Sequence, residues 1–143
     1  EPEDRDEERV PFEEYRALAE AGELDELRGR WLKHPKMSYG IHGRAADLLQ
    51  EIVSGYDGRD LLDLAPEDFD FPEDVQAALP AVSVPTLLLT GTGETEARKQ
   101  IAARVRELMP NAEELMLPGC GHMSNLGDPA LFNRFALMFL DAH

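Results

Sequence analysis

Cys120 is the only cysteine, so the chain can form no internal disulfide and no zinc site built on several thiolates. Such usage suits a reducing cytoplasm. Basic residues are also scarce: 14 Lys and Arg stand against 29 Asp and Glu, giving a net charge of -15 at pH 7. A surface of that sign repels nucleic acid and anionic lipid, so neither is an expected partner. No apolar run is long enough to cross a bilayer, and no basic-then-apolar leader opens the chain. Residue 1 is Glu rather than Met, as expected of a processed product, a fragment or one part of a longer reading frame. What the chain does have is apolar side chains, 43% of its 143 residues, enough for one domain with a core despite 30% charged residues.

Residues 1–10 carry almost nothing to bury and read as an acidic linker or exposed end. From residue 11 the spacing turns helical. Phe12, Tyr15, Leu18 and Ala19 share one face, Gly22 interrupts, and Leu24, Leu27, Trp31 and Leu32 repeat the pattern up to His34-Pro35. Lys36 to Gly43 reads as a loop. A third helix carries Ala45, Leu48, Leu49, Ile52 and Val53 and stops at Ser54-Gly55. Leu61 to Leu64 is a shorter apolar piece, and the acidic, proline-bearing run to Asp74 a connector. Residues 11–80 thus form a set of small helices and their connector.

Residues 81–143 differ in kind. Val82 to Thr90 reads as a strand, apolar on both faces from Thr86, and Gly91-Thr92-Gly93 turns it. A helix follows from about Glu96 to Met109, with Ile101, Val105 and Leu108 inward. Glu113 to Leu117 forms a second strand, Pro118 to Gly127 a loop, and Asp128-Pro129 opens a last helix with Leu131, Phe132, Phe135, Met138 and Phe139 on one face. Strand, helix, strand, helix is the α/β signature, with the strands parallel. A strand apolar on both faces belongs inside a covered parallel sheet, and a pair of strands cannot make one. Further strands are expected from a companion chain or an N-terminal portion.

Side chains able to do chemistry gather at the carboxyl ends of these strands, where open α/β sheets bind ligands. Glu94 follows the first strand and His122 the second, between glycines that let backbone approach closely. A carboxylate on one imidazole nitrogen fixes the tautomer and stabilises the imidazolium formed when the other nitrogen takes a proton.

The segment Val84-Pro85-Thr86-Leu87-Leu88-Leu89-Thr90-Gly91-Thr92-Gly93-Glu94-Thr95 resembles the penultimate strand and acid loop of the α/β-hydrolase family. Leu117-Pro118-Gly119-Cys120-Gly121-His122-Met123 and the run on to Pro129 resemble the loop that delivers that family's triad histidine. The resemblance implies the C-terminal part of an α/β-hydrolase parallel sheet with an all-helical cap, similar to enol-lactonase and esterase-like members. His122 would be the general base and Glu94 its orienter, although the family more often places aspartate there; Glu96 is the rival acid. Trp31-Leu32-Lys33-His34-Pro35 and Tyr56 to Leu62 resemble the family's caps. The nucleophile's Gly-x-Ser-x-Gly motif is missing: none of Ser38, Ser54, Ser83 and Ser124 has glycine two before and two after. The chain alone is therefore expected to be inactive, its nucleophile supplied by an N-terminal portion of the same hydrolase as a companion chain. The expected substrate is a small molecule with an ester, lactone or related carbonyl bond. No metal or organic cofactor is implied.

Trp31 and Met123 are candidate substrate-binding residues, Trp31 serving otherwise as cap core. His34 and His42 read as loop histidines, because no metal-ligand spacing surrounds them. Cys120 lies too near His122 in sequence to present a thiol to it. Gly91-Thr92-Gly93 lacks the third glycine of a dinucleotide site. The competing function is non-catalytic, a binding or interaction module on the same scaffold.

Overall fold

A computed structural model of the chain describes residues 10–63 and 73–143. The linker read over residues 1–9, and Leu64 with most of the acidic connector after it, lie outside the described residues.

Local signals start and stop the first helices. α1 (Phe12–Glu20) begins after Pro11 with Glu13 and Glu14 in its first turn, where carboxylates meet the positive end of the helix dipole. Gly22, at φ +72°, closes it. α2 (Leu24–Lys33) carries Asp25 and Glu26 at its start and Arg30 and Lys33 at its end. Arg30 ties the pair together, 2.8 Å from Glu26 on its own helix and 3.0 Å from Glu14 on α1. His34 is extended (ψ 135°), as the residue before proline must be. The expected loop from Lys36 is replaced at first by a helical turn, α3 (Pro35–Ser38), because Pro35 presets φ and the His34 Nδ1 accepts a bond from the Lys36 N–H. α4 (Arg44–Ser54) and α5 (Arg59–Asp63) complete this half, and α6 (Glu73–Ala78) with a 3₁₀ turn (Leu79–Ala81) follows where the sequence ended the connector, at Asp74.

Two clusters hold these helices. Val10, Tyr15, Leu27 and Leu61 form one, with Leu27 fully buried. Val10 thus belongs to the core rather than to the exposed end in which the sequence placed it. Ile41, Leu49 and Val53 form the other, and Trp31 packs on both. Arg16 and Arg28 add long-range ties, their Nε atoms donating to the Leu61 and Tyr56 carbonyls at 2.9 Å.

β1 (Thr86–Gly91) and β2 (Ala112–Leu117) are parallel, in register from Thr86 beside Ala112 to Gly91 beside Leu117. The expected strand from Val82 starts only at Thr86: Pro85 has no N–H to offer a ladder, and Val84 is 61% exposed. α7 (Glu96–Leu108) joins the strands, capped by the Thr95 side chain. The loop after β2 contains a short turn of helix, α8 (Ser124–Gly127), and α9 (Pro129–Ala142) follows with the Asp128 carboxylate accepting from the Leu131 N–H at 2.9 Å. Strand, helix, strand, helix is as the sequence predicts. The burial of the helix faces is not. Ile101 on α7 and Met138 on α9, both expected inward, are exposed, as are Leu137 and Leu140. Among the described residues the sheet has two strands, too narrow to cover two helices.

Candidate active site

The parallel register brings the ends of β1 and β2 side by side, so the loops that follow share one edge of the sheet. They approach to backbone contact. A Cβ at Gly91 would collide with the Cys120 carbonyl, so only glycine serves there. Backbone bonds lace the loops: the Thr92 N–H donates to the Leu117 carbonyl at 3.0 Å, the Gly93 N–H to the Cys120 carbonyl at 2.9 Å, and the Gly119 N–H to the Thr92 hydroxyl at 2.9 Å.

This lacing delivers Glu94 to His122. Glu94 Oε2 lies 2.6 Å from His122 Nδ1, across 28 residues of sequence. A carboxylate only accepts, so Nδ1 carries the proton and donates it, leaving Nε2 as the basic nitrogen. The other carboxylate oxygen, Oε1, accepts from the Thr95 N–H at 2.8 Å. Burial alone would raise the Glu94 pKa. The bonds from His122 and Thr95, with the charges of His122 and Lys36, outweigh it and hold the carboxyl below its usual range. The exposures are opposed: the Glu94 side chain is 9% accessible, that of His122 38%. The acid is enclosed and the base faces outward.

Glu96, the rival acid, is engaged elsewhere, 2.8 Å from Lys99 on the exposed side of α7. Met123 follows His122 and packs on the Ile41–Leu49–Val53 cluster, against which Trp31 also packs. Trp31 stands edge-on to Tyr15 (ring centroids 5.0 Å) and His34 (6.1 Å). It is joined to the His122 loop through that cluster. The Ser38 hydroxyl donates to the His34 carbonyl at 3.1 Å and the Ser54 hydroxyl to the Glu51 carbonyl at 2.6 Å, while Ser124 is buried. Among the described residues no serine hydroxyl is bonded to His122, and no group of three or more His, Cys, Asp or Glu is placed to hold a metal ion. Cys120 is buried, and its thiol is pushed above its usual pKa by that burial and by Asp128, the reverse of an activated nucleophile. Nor is any described helix long and apolar enough to cross a membrane.

Sequence reasoning missed two neighbours of the acid. Lys36 contributes charge at Glu94, and Tyr39 lies against both loops. Both stand in the segment read as a featureless loop. The Tyr39-Gly40 pair, an aromatic beside a residue that lets backbone close in, was the available signal.

No family model matches the chain. A protein of Pseudomonas savastanoi pv. phaseolicola named as a carbamate hydrolase, RutD, is 38% identical over 69 residues, 48% of this chain and 27% of its own length. MenH from S. aureus superposes with a TM-score of 0.71 at 22% identity, covering 92% of this chain and 53% of MenH. The chain thus spans about a quarter and about half of these two proteins, both α/β-hydrolases. The likeness to MenH bears out the expected fold: a portion of the α/β-hydrolase architecture, with small helices beside a parallel sheet.

Proposed function

We propose that residues 11–80 form the cap, and residues 81–143 the acid–histidine half, of a serine-type hydrolase that cleaves an ester, lactone or related carbonyl bond. The observation that carries this reading is the 2.6 Å bond between Glu94 and the Nδ1 of an outward-facing His122. Nε2 takes the proton of a serine hydroxyl as that oxygen attacks the carbonyl carbon, then returns it to the leaving oxygen. Glu94 keeps the tautomer and stabilises the intermediate imidazolium. The same cycle run with water frees the acyl group. The route draws on no metal or organic cofactor, and the carbamate named for RutD belongs to the same class of carbonyl bond.

The serine comes from an N-terminal portion of the same hydrolase, present as a companion chain or as preceding sequence. Two observations support this. The Ser38 and Ser54 hydroxyls are engaged with backbone carbonyls. The apolar side chains of α7 and α9 that stand exposed are those a wider sheet would cover. Trp31 and Met123, which both pack on one apolar cluster, wall the substrate pocket. The acidic surface keeps nucleic acid and membranes away, and a cytoplasmic setting keeps Cys120 reduced.

The test is labelling of the native protein, with whatever portion co-purifies, by a serine-directed fluorophosphonate, followed by hydrolysis of p-nitrophenyl esters. Labelling on a serine outside residues 1–143 with ester turnover is expected. A folded protein that neither labels nor turns over would instead leave the scaffold a binding module.

A further inference from the structure

Between the cap and the dyad runs a segment, residues 38–41, that nothing in the hydrolytic scheme uses. It is packed unusually close. A Cβ at Gly93, the residue before the acid, would fall inside the Tyr39 ring. A Cβ at Gly121, the residue before the histidine, would lie 2.9 Å from the Tyr39 carbonyl and 3.0 Å from its Cδ1. Gly40, at φ +73°, sits on the Gly119 carbonyl and the Cys120 backbone. Gly93 and Gly121 thus let one residue, Tyr39, bear on both catalytic loops at once, and Gly40 brings its own backbone against the histidine loop. The other ties between those loops are the Thr92–Leu117 and Gly93–Cys120 backbone bonds, the bond from the Gly119 N–H to the Thr92 hydroxyl, and the Glu94–His122 bond itself. Tyr39 bears on them from the cap side.

We infer that Tyr39 is a positioning residue, whose ring, seated on Gly93 and Gly121, sets the separation of Glu94 and His122. This rests on the hydrolase reading for its kinetic consequence but not for its geometric one. The role belongs to the ring. The Tyr39 atoms nearest the two glycines are ring carbons, Cβ and the backbone carbonyl, and half of the residue's surface remains exposed. Losing the ring frees the acid loop to rise and the histidine to turn away from its partner. A misplacement of this kind costs about 10- to 100-fold in kcat, because the proton acceptor no longer meets the attacking oxygen in line.

The experiment compares the native protein with Tyr39→Ala and Tyr39→Phe by proton NMR and by p-nitrophenyl ester hydrolysis. The imidazole Nδ1–H held by a carboxylate gives a far-downfield, exchange-protected resonance, assigned by its absence in His122→Ala. Tyr39→Ala is expected to lose it and to lower kcat with KM nearly unchanged, while Tyr39→Phe keeps both. Retention of the resonance and of kcat in Tyr39→Ala, or a Tyr39→Phe variant as impaired as Tyr39→Ala, overturns the assignment. Should Tyr39→Ala fail to fold, Tyr39→Leu, with bulk but no flat ring, is read by the same two outcomes. If the native protein shows no ester turnover yet the resonance follows the ring as stated, the hydrolase reading fails and the positioning role stands.

Discussion

Replacing Glu94 by Gln changes little in shape and much in bonding. The carboxylate accepts twice, from His122 Nδ1–H at 2.6 Å and from the Thr95 N–H at 2.8 Å. An amide has one acceptor oxygen and one donor group, so only one bond can survive. With oxygen toward His122, the amide NH₂ opposes the Thr95 N–H, and an unsatisfied buried donor costs about 1–3 kcal/mol. With oxygen toward Thr95, the NH₂ faces Nδ1, the ring moves its proton to Nε2, and the general base is gone. The neutral side chain also cannot stabilise an imidazolium in either orientation. A triad that loses its acid in this way slows by about 10⁴-fold. The enclosed carboxyl here argues for a loss of that order, and at least about 10³-fold, in kcat. Steady-state ester hydrolysis reads the loss, and nitrogen-15 shifts of the His122 ring report the tautomer. Glu94→Asp, shorter by a methylene, should retain part of the rate. A Glu94→Gln protein with kcat within a few-fold of native and an unchanged tautomer would refute the reasoning.

Other outcomes follow from the same coordinates. Because Glu94 is held below its ordinary pKa, its stabilising contribution is full above the unfolded value near about 4.3 and is lost as pH falls from there through the folded value. Urea midpoints of native protein and Glu94→Gln should therefore differ at pH 7 and draw together as pH falls below about 4; a constant gap would contradict the linkage. Gly91→Ala should part the two loops at the Cys120 carbonyl and remove the downfield His122 proton, visible in a one-dimensional proton spectrum. Leu27→Ala, at a fully buried site among the first helices, should cost about 2–5 kcal/mol by chemical denaturation. Asp128→Ala removes the bond to the Leu131 N–H that starts α9 and should cost about 1 kcal/mol by the same measurement.

What could be read from sequence was mostly local. Gly22, Pro35 and Asp128 act within a turn of where they stand, so helix limits followed from caps and breakers. The pairing of Glu94 with His122 was legible for another reason: parallel strands joined by one helix put the loops after them on a common edge. The α3 turn escaped because four residues carry no periodicity. Val82 and Val84 mimicked a strand, although Pro85 and the missing neighbour on that side end the ladder at Thr86. Tyr39 escaped because its contacts with Gly93 and Gly121 span more than 50 residues, and spacing along a chain cannot register them. The outward faces of α7 and α9 were misjudged, since a two-stranded sheet leaves Ile101 and Met138 exposed. Local physics decided the elements, and tertiary contacts decided what surrounds the dyad.

The central claim is that His122 serves as the general base of a hydrolase. Fluorophosphonate labelling of the native protein tests it most directly, with His122→Ala beside it and folding checked by circular dichroism. Expected is rapid labelling of a serine in the native protein, with a loss of at least about 10³-fold in the folded His122→Ala variant, as for a triad deprived of its base. Equal labelling rates in the two proteins would contradict it.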